Sequence, residues 1–173
     1  QGRAVDDETF TLTVNAVNDV PILTEIGDQQ TDEDTDFTID LSASDVDIDE
    51  NGQTLTFSAV SGDSSLVVVT ATTLDDGTTG TLTFDVQDEQ NGSAEITVTV
   101  NDSQGRAVDD ETFTLTVNAV NDVPILTEIG DQQTDEDMDF TIDISASDVD
   151  IDENGQTLTF SAVSGDSSLV VVT

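Results

Sequence analysis

Hydrophobic and polar residues alternate along most of the chain, and this alternation predicts β-strands. In residues 36–43 the side chains of Phe37, Ile39 and Leu41 fall on one face, with threonine and aspartate on the other. A period of two is typical of a strand with one buried face and one solvent-exposed face. The same pattern, with threonine on the polar face, recurs in residues 53–60, 81–86, 95–100 and 111–117.

Two further segments complete the predicted set of strands. Residues 65–73 are more uniformly apolar and β-branched, and residues 22–26 form a short first strand. Turn-forming pairs separate several of these segments at Asn51-Gly52, Asp76-Gly77 and Asn91-Gly92. Seven short strands without helical periodicity predict an all-β fold, a seven-stranded Greek-key β-sandwich of immunoglobulin-like or cadherin-like type.

The chain also repeats itself. Residues 1–70 recur as residues 104–173 with two substitutions, so the period is 103 residues. A solenoid unit has roughly 20–50 residues, whereas a period of 103 residues matches a small domain. We therefore expect a tandem array of β-sandwich domains.

Each copy of the repeat contains one proline, Pro21 or Pro124, at a place that fits the start of a first strand. This predicts that residues 1–18 are the last strand of a preceding repeat and that residues 19–121 form one complete β-sandwich. Residues 122–173 are then the first strands of a following, incomplete repeat. The chain is expected to be an interior piece of a longer array, or to be completed by neighbouring chains.

The composition excludes several classes of function. The chain has 39 acidic residues, two basic residues, no histidine and no cysteine, and its formal net charge is −37. Thiolate and imidazole chemistry are therefore absent, including ordinary zinc sites and Ser-His-Asp triads. Nucleic acids and anionic membranes are repelled. Carboxylate-only catalysis of the glycosidase kind is not expected, because tryptophan and tyrosine, which stack on sugars, are missing.

The acidic residues fall into clusters between the predicted strands. Loops of a β-sandwich gather at its two ends. The loop from Asp45 to Asn51 and the pair Asn101-Asp102 are expected near the N-terminal linker, and Asp88-Glu89 and Glu33 near the opposite end. At about 4 Å and an effective dielectric constant of about 20, each like-charge pair costs roughly 4 kcal/mol. Because basic partners are nearly absent, the clusters predict bound Ca²⁺, which takes carboxylate, amide and carbonyl oxygens.

The candidate metal ligands are taken from these clusters and from the linkers. They are Asn18, Asp19, Glu33, Asp45, Asp47, Asn51, Asp88, Glu89, Asp102, Asn118, Asn121, Asp122, Glu136, Asp148, Asp150 and Asn154.

Some of these residues match motifs of a known family. Asp45-Val46-Asp47 followed by Asn51 resembles the DxD…N calcium motif of cadherin repeats. Asn121-Asp122-Val123-Pro124 resembles their interdomain linker, with Val123 in place of an asparagine, and Glu33 takes the place of their first-loop glutamate.

The full 103-residue period resembles the tandem cadherin-like or Ig-like extender repeats of giant bacterial surface adhesins of the RTX class. The resemblance implies an extracellular, cell-surface rod that Ca²⁺ stiffens and that holds a distal adhesive module away from the cell. Its partners are then the neighbouring identical repeats of the same chain. The glycine-rich nonapeptides of the RTX secretion region itself are absent from this sequence.

We therefore expect a non-catalytic, calcium-stiffened extender. In this hypothesis Ca²⁺ bridges Glu33 and Asp88-Glu89 of one repeat, the linker Asn121-Asp122, and the loop 148–154 of the next repeat. One alternative is a carbohydrate- or ice-binding module. It would use the threonine-rich strand faces formed by Thr38, Thr54, Thr56, Thr81, Thr83, Thr97 and Thr99. Another is a calcium buffer in an acidic matrix or biofilm.

Overall fold

The computed structural model describes residues 2–48, 53–75, 77–104, 108–151 and 156–173. The chain divides into two compact units, Gln1–Asn118 (unit 1) and Ala119–Thr173 (unit 2). The strands of unit 1 are β1 Ile22–Leu23, β2 Gln29–Asp32, β3 Phe37–Ser44, β4 Thr56–Ser61, β5 Val67–Thr73, β6 Thr79–Val86, β7 Gly92–Asn101 and β8 Asp109–Asn118. Among the described residues there is no helix long and apolar enough to cross a membrane.

Unit 1 is a β-sandwich of two sheets with strand orders β1-β3-β6-β5 and β2-β8-β7-β4. All neighbouring strands are antiparallel except β2 and β8, which are parallel. This is the immunoglobulin-like arrangement, with the first strand divided between the two sheets. The predicted fold class is confirmed, because the structure is an all-β sandwich of this type.

The structure adds one strand that the sequence pattern did not predict. Strand β2 lies where the sequence predicted a connection ending in an acidic cluster. Its residues are polar, and its backbone pairs with β8 from Gln29, opposite Leu115, to Asp32, opposite Asn118. A strand held by backbone hydrogen bonds at a sheet edge, without an apolar face, leaves no alternation in the sequence.

The core of unit 1 is formed by the apolar positions of the alternating segments. The rings of Phe37 and Phe84, opposite each other on β3 and β6, stack with centroids 4.2 Å apart. Phe113 of the other sheet meets Phe84 edge-on at 6.3 Å. The edge-to-face contact between Phe84 and Phe113, a favoured geometry for aromatic pairs, joins the two sheets. Buried aliphatic residues surround this contact, namely Leu41, Leu55, Leu82, Ile96, Val98, Val100 and Leu115.

Gly80 lets a core ring approach the backbone of β6. A Cβ atom at this position would lie 2.8 Å from the carbonyl oxygen of Thr72 and 2.9 Å from the ring of Phe57. Both distances are shorter than ordinary van der Waals contacts. The absence of a side chain at Gly80 therefore makes room for Phe57 under the sheet.

Unit 2 has far less regular structure in its described residues. Strand β9 (Ile125–Leu126) pairs with strand β10 (Ala146–Ser147) in an antiparallel ladder. Most of its apolar side chains are exposed, including Leu169, whose counterpart Leu66 is buried in unit 1. Residues 119–173 contain no copy of β6, β7 or β8, the strands that cover these positions in unit 1. The repeat boundaries drawn from the sequence at 19–121 stay a prediction.

Candidate metal centre

One end of unit 1 gathers residues from four separate parts of its chain. The segment 18–19 leads into β1, Asp45 and Asp47 follow β3, Gln53 precedes β4, and Asp102 follows β7. Because β1 and β4 begin where β3 and β7 end, these residues meet at the same end of the sandwich. We call this set the entry pole; it comprises Asn18, Asp19, Asp45, Asp47, Gln53 and Asp102.

Hydrogen bonds attach the incoming segment to the pole. The backbone N–H of Asp19 donates to Oδ2 of Asp47 at 2.6 Å, and the backbone N–H of Asp47 donates to Oδ1 of Asp45 at 2.8 Å. Nδ2 of Asn18 donates to Oδ2 of Asp102 at 2.6 Å. Nε2 of Gln53 donates to Oδ1 of Asn18 at 2.7 Å. The entry pole is therefore one connected hydrogen-bond network.

Burial and negative charge coincide at the entry pole. Asp47 is 5 % exposed and Asp102 is 1 % exposed. The hydrogen bond from Asn18, followed by the bond from the backbone N–H of Gln104, lowers the pKa of Asp102 below its usual value. Asp102 is thus ionised at neutral pH. Ionised groups that are removed from water require a compensating partner.

Two oxygen atoms of the entry pole have no such partner. Oδ2 of Asp45 and Oε1 of Gln53 are buried and accept no hydrogen bond. A buried acceptor without a donor costs about 1–3 kcal/mol. The carboxylate and amide oxygens of this pole are of the kinds that Ca²⁺ takes as ligands. The residues of this pole therefore fit a divalent cation.

The opposite end of unit 1, the exit pole, contains Glu33, Asp34, Asp88, Glu89 and Asn118. The backbone N–H of Glu89 donates to Oδ1 of Asp34 at 2.9 Å, and the backbone N–H of Glu33 donates to the carbonyl oxygen of Asn118 at 2.9 Å. Asp88 is exposed, next to Glu89 in the turn after β6. These bonds join the segment Glu33-Asp34 to Asn118 and to Glu89 at this pole.

Asp34 was absent from the predicted ligands, although it lies between the candidate Glu33 and the strand β3. Its carboxylate and that of Glu89 have oxygen atoms within 4.8 Å of each other. Both residues adopt left-handed backbone conformations, with φ of 58° at Asp34 and 56° at Glu89. The run of three acidic residues at 32–34 was the sequence signal for an acidic cluster here. Only the fold shows which of the three carboxylates lies beside Glu89.

Unit 2 repeats part of the entry pole. The backbone N–H of Asp122 donates to Oδ2 of Asp150 at 2.6 Å, and that of Asp150 donates to Oδ1 of Asp148 at 3.0 Å. Carboxylate oxygens of Asp122 and Asp150 lie within 4.8 Å of each other. Nε2 of Gln156 donates to Oδ1 of Asn121 at 2.8 Å, as Gln53 does to Asn18.

Three other predicted ligands have no described contact at either pole. Glu136 of unit 2 is exposed to solvent. Asn51 and Asn154 lie outside the described residues. The sequence-based hypothesis that Ca²⁺ bridges neighbouring repeats stays a prediction.

Gln53 is the entry-pole residue that sequence reasoning missed. It has the same phase as Leu55 and Phe57, so the alternation of the segment directs it inward. A polar residue at an apolar-phase position, directly after an acidic loop, was the available signal. Its significance depends on the residues that the fold places around it.

Several other acidic residues have a structural role instead. Oδ1 of Asp36 accepts from the backbone N–H of Val86 at 2.9 Å, and Oδ2 of Asp109 accepts from that of Leu23 at 2.8 Å. These carboxylates take the place of carbonyl groups beside the strand ladders. Some acidic residues of this chain therefore bind backbone N–H groups of the sheets, whereas others form the clusters at the two poles.

Comparisons with known proteins agree with an immunoglobulin-like domain. The sequence profile of the family described as "Bacterial Ig domain" matches residues 18–118. A search of curated proteins gave no match.

Three similar solved structures are remote in sequence. An endo-fucoidan hydrolase from glycoside hydrolase family 107 shares 19 % identity with a TM-score of 0.43, over 64 % of this chain and 15 % of that one. The human desmocollin-1 ectodomain shares 16 % identity with a TM-score of 0.45, over 60 % and 22 %. The sialic acid binding region of a Streptococcus sanguinis SK1 adhesin shares 13 % identity with a TM-score of 0.45, over 64 % and 34 %. The chain thus spans a minor part of each of these proteins.

Proposed function

Because the chain belongs to the bacterial Ig-domain family, we propose that it is a non-catalytic, calcium-binding extender of a bacterial cell-surface protein. The observation that carries this proposal is the pair of unpartnered buried oxygens, Oδ2 of Asp45 and Oε1 of Gln53, at an acidic pole. A divalent cation would satisfy both atoms and offset the charges of the neighbouring carboxylates.

The residues of the entry pole have complementary roles in this proposal. Asp45, Asp47 and Asp102 supply anionic oxygens, and the amides of Asn18 and Gln53 order them without adding charge. Repulsion between carboxylates costs roughly 4 kcal/mol per close pair at an effective dielectric constant of about 20. Ca²⁺ would supply the positive charge that the chain, with two basic residues, lacks.

The proposed stiffening of the array rests on the contacts between the entry pole and the segment that precedes β1. Asn18 and Asp19 belong to the segment that leads into β1, and their hydrogen bonds attach it to Asp47 and Asp102. In a tandem array, each such segment is the linker that precedes a repeat. A cation that strengthens the pole would therefore restrain the linker and make the array stiffer.

An extracellular location agrees with the Ca²⁺ affinity that is typical of extracellular modules. Extracellular modules bind Ca²⁺ with dissociation constants of about 10⁻⁴–10⁻³ M. Millimolar calcium outside the cell would load such a site, whereas micromolar calcium inside would not. We propose that such an array holds a distal adhesive module away from the cell surface.

The test compares the 173-residue chain with and without calcium. Isothermal titration calorimetry measures binding, and small-angle X-ray scattering measures extension in millimolar Ca²⁺ and in excess chelator. We expect a stiffer, more extended chain with Ca²⁺. The double variant Asp45→Asn, Asp47→Asn should bind fewer ions. The double variant Asp40→Asn, Glu95→Gln, an equal charge change on exposed strand faces, should bind as many as the wild type. Equal binding by all three proteins would contradict the proposal.

A carbohydrate- or ice-binding face is the second candidate. Strand register aligns Thr38, Thr83 and Thr70 across the outer face of β3, β6 and β5, with Thr81 and Thr72 in the next row. These rows form a regular hydroxyl-bearing surface. Binding of the chain to arrayed glycans or to ice, lost in a Thr81→Val, Thr83→Val variant, would support this candidate. Binding that persists in the variant would contradict it.

A further inference from the structure

The side-chain amides of Gln53 and Asn18 form a relay of hydrogen bonds that ends at the carboxylate of Asp102. The contact at Asp102 determines which atom of each amide donates and which accepts. Asn18 donates through Nδ2 to Oδ2 of Asp102 at 2.6 Å. The same Nδ2 also donates to the carbonyl oxygen of Asp19 at 2.7 Å. Asn18 therefore presents Oδ1 to Gln53, which must donate through Nε2. Oε1 of Gln53 is left as the free end of the relay.

That free end is buried. Gln53 is 8 % exposed, and its Oε1 accepts no hydrogen bond. If the residue served only to hold Asn18, the fold would bear the cost of an unsatisfied buried oxygen without benefit. Oδ2 of Asp45, in the same hydrogen-bond network, is also buried and unpartnered. A bound cation would give both of these acceptors the partner that the chain does not supply.

The amide contact recurs in the second copy of the sequence. Gln156 donates to Asn121 at 2.8 Å, and the corresponding bond from Gln53 to Asn18 is 2.7 Å. The contact therefore forms in unit 2 although that unit lacks most of the sandwich.

We propose that Gln53 is itself a ligand of the entry-pole cation and that it selects Ca²⁺ over Mg²⁺. This inference rests on the proposed function. A neutral oxygen raises the number of ligands without adding another negative charge to the acidic pole. Ca²⁺ accommodates six to eight ligands in flexible geometry, whereas Mg²⁺ requires a near-ideal octahedron and retains water. An additional protein oxygen therefore favours Ca²⁺.

The experiment measures Ca²⁺ and Mg²⁺ affinities at the entry pole of the full 173-residue chain by two-dimensional NMR. The backbone signals of Asp45 and Asp102 report on this site separately from the rest of the chain. Gln53→Met removes both the oxygen and the donor, whereas Gln53→Glu keeps an oxygen but loses the donor to Asn18. Gln133→Met is the matched control, because Gln133 is exposed.

If Gln53 is a ligand, Gln53→Met should lose most of the Ca²⁺ affinity of the entry pole and change Mg²⁺ binding much less. Gln53→Glu should retain the preference for Ca²⁺, and Gln133→Met should behave as the wild type. If Gln53 only positions Asn18, both Gln53 variants should lose Ca²⁺ and Mg²⁺ affinity alike. That result would overturn the inference and leave the proposed function intact.

Two further outcomes are distinguishable. If the wild type shows no Ca²⁺-dependent shifts at Asp45 and Asp102, the proposed function and this inference both fail. If Gln53→Met does not give a dispersed spectrum, Gln53→Glu decides alone. A retained Ca²⁺ preference then supports the inference, and an equal loss of both affinities overturns it.

Discussion

Asn18 and Asp102, separated by 84 residues, are joined by a hydrogen bond of 2.6 Å from Nδ2 to Oδ2. The bond connects the segment that enters the sandwich to the end of β7. Order in the linker is therefore coupled to the acidic pole, since the residue that holds the linker also holds a buried carboxylate. This coupling is the structural basis of the predictions that follow.

The first prediction concerns the linker. Replacement of Asn18 with alanine removes the bond to Asp102 and the acceptor for Gln53, so residues 18–20 should become more mobile. NMR relaxation and amide hydrogen exchange of these residues measure the effect in millimolar Ca²⁺. Asn15→Ala, three residues earlier in the exposed segment, is the control. Unchanged relaxation in Asn18→Ala would show that the linker is held in another way.

The second prediction is that the effect of Asp45→Asn on the free energy of unfolding depends on calcium. At a hundredfold excess over the dissociation constant, binding adds about 2.7 kcal/mol to the free energy of unfolding. Asp45→Asn should lose most of this gain. In excess chelator the same variant should be as stable as the wild type or more so, because it removes one like charge from the pole.

Chemical denaturation in both conditions measures this reversal, and Asp40→Asn on the exposed face of β3 is the control. An Asp45→Asn variant that is equally destabilised with and without calcium would indicate a purely structural role for Asp45.

The third prediction concerns Gly80. A methyl group there would collide with the backbone of Thr72 and the ring of Phe57. Overpacking of a core costs about 1–3 kcal/mol, so Gly80→Ala should lower the free energy of unfolding by this amount. Gly165→Ala, where a Cβ meets no atom within 4 Å, is the control. Equal stability of the two variants would contradict the packing argument.

The fourth prediction is a pH dependence at an exposed turn. Oδ1 of Asp63 accepts hydrogen bonds from the hydroxyl and the backbone N–H of Ser65, and these bonds lower the pKa of Asp63. A lowered pKa in the folded state stabilises the fold above the unfolded-state pKa, about 3.9. This contribution is lost as the pH falls through the folded-state pKa.

NMR titration should give Asp63 a pKa below that of an unperturbed aspartate. In Ser65→Ala the pKa should rise, since the hydroxyl bond is the main cause of the shift. Asp166 and Ser168 form the same pair in the second copy and serve as an internal reference. An unchanged pKa of Asp63 in Ser65→Ala would contradict the assignment.

Much of the fold follows from the alternation of apolar residues. Most inward positions of β3, β6, β7 and β8 were predicted, because successive side chains of a strand point to opposite faces. Ala94 of β7 and Gly80 of β6 lay outside the predicted segments. Strand β2 was not predicted, since its pairing with β8 uses backbone groups that carry no sequence signal. The approach of Phe57 to Gly80 likewise depends on how the two sheets pack.

The candidate site was predictable in part. The acidic loops and their assignment to the two ends of the sandwich followed from the strand order. Gln53 did not, because its importance comes from a donor given to Asn18 and an oxygen left without a partner. Hydrogen-bond satisfaction is a property of groups that meet in space, whereas residue type is a property of the chain.

The sequence by itself determined the strands with alternating apolar residues, the repeat and the absence of thiol and imidazole groups, because these depend on local periodicity and composition. Only the tertiary structure decided which residues are buried. Phe10 and Phe113 lie in identical segments, yet Phe10 is 87 % exposed and Phe113 is 4 % exposed. Phe113 is covered because β8 pairs with β7 and faces the opposite sheet. Burial, and with it the unpartnered oxygens of the entry pole, arises from contacts between residues far apart in the chain.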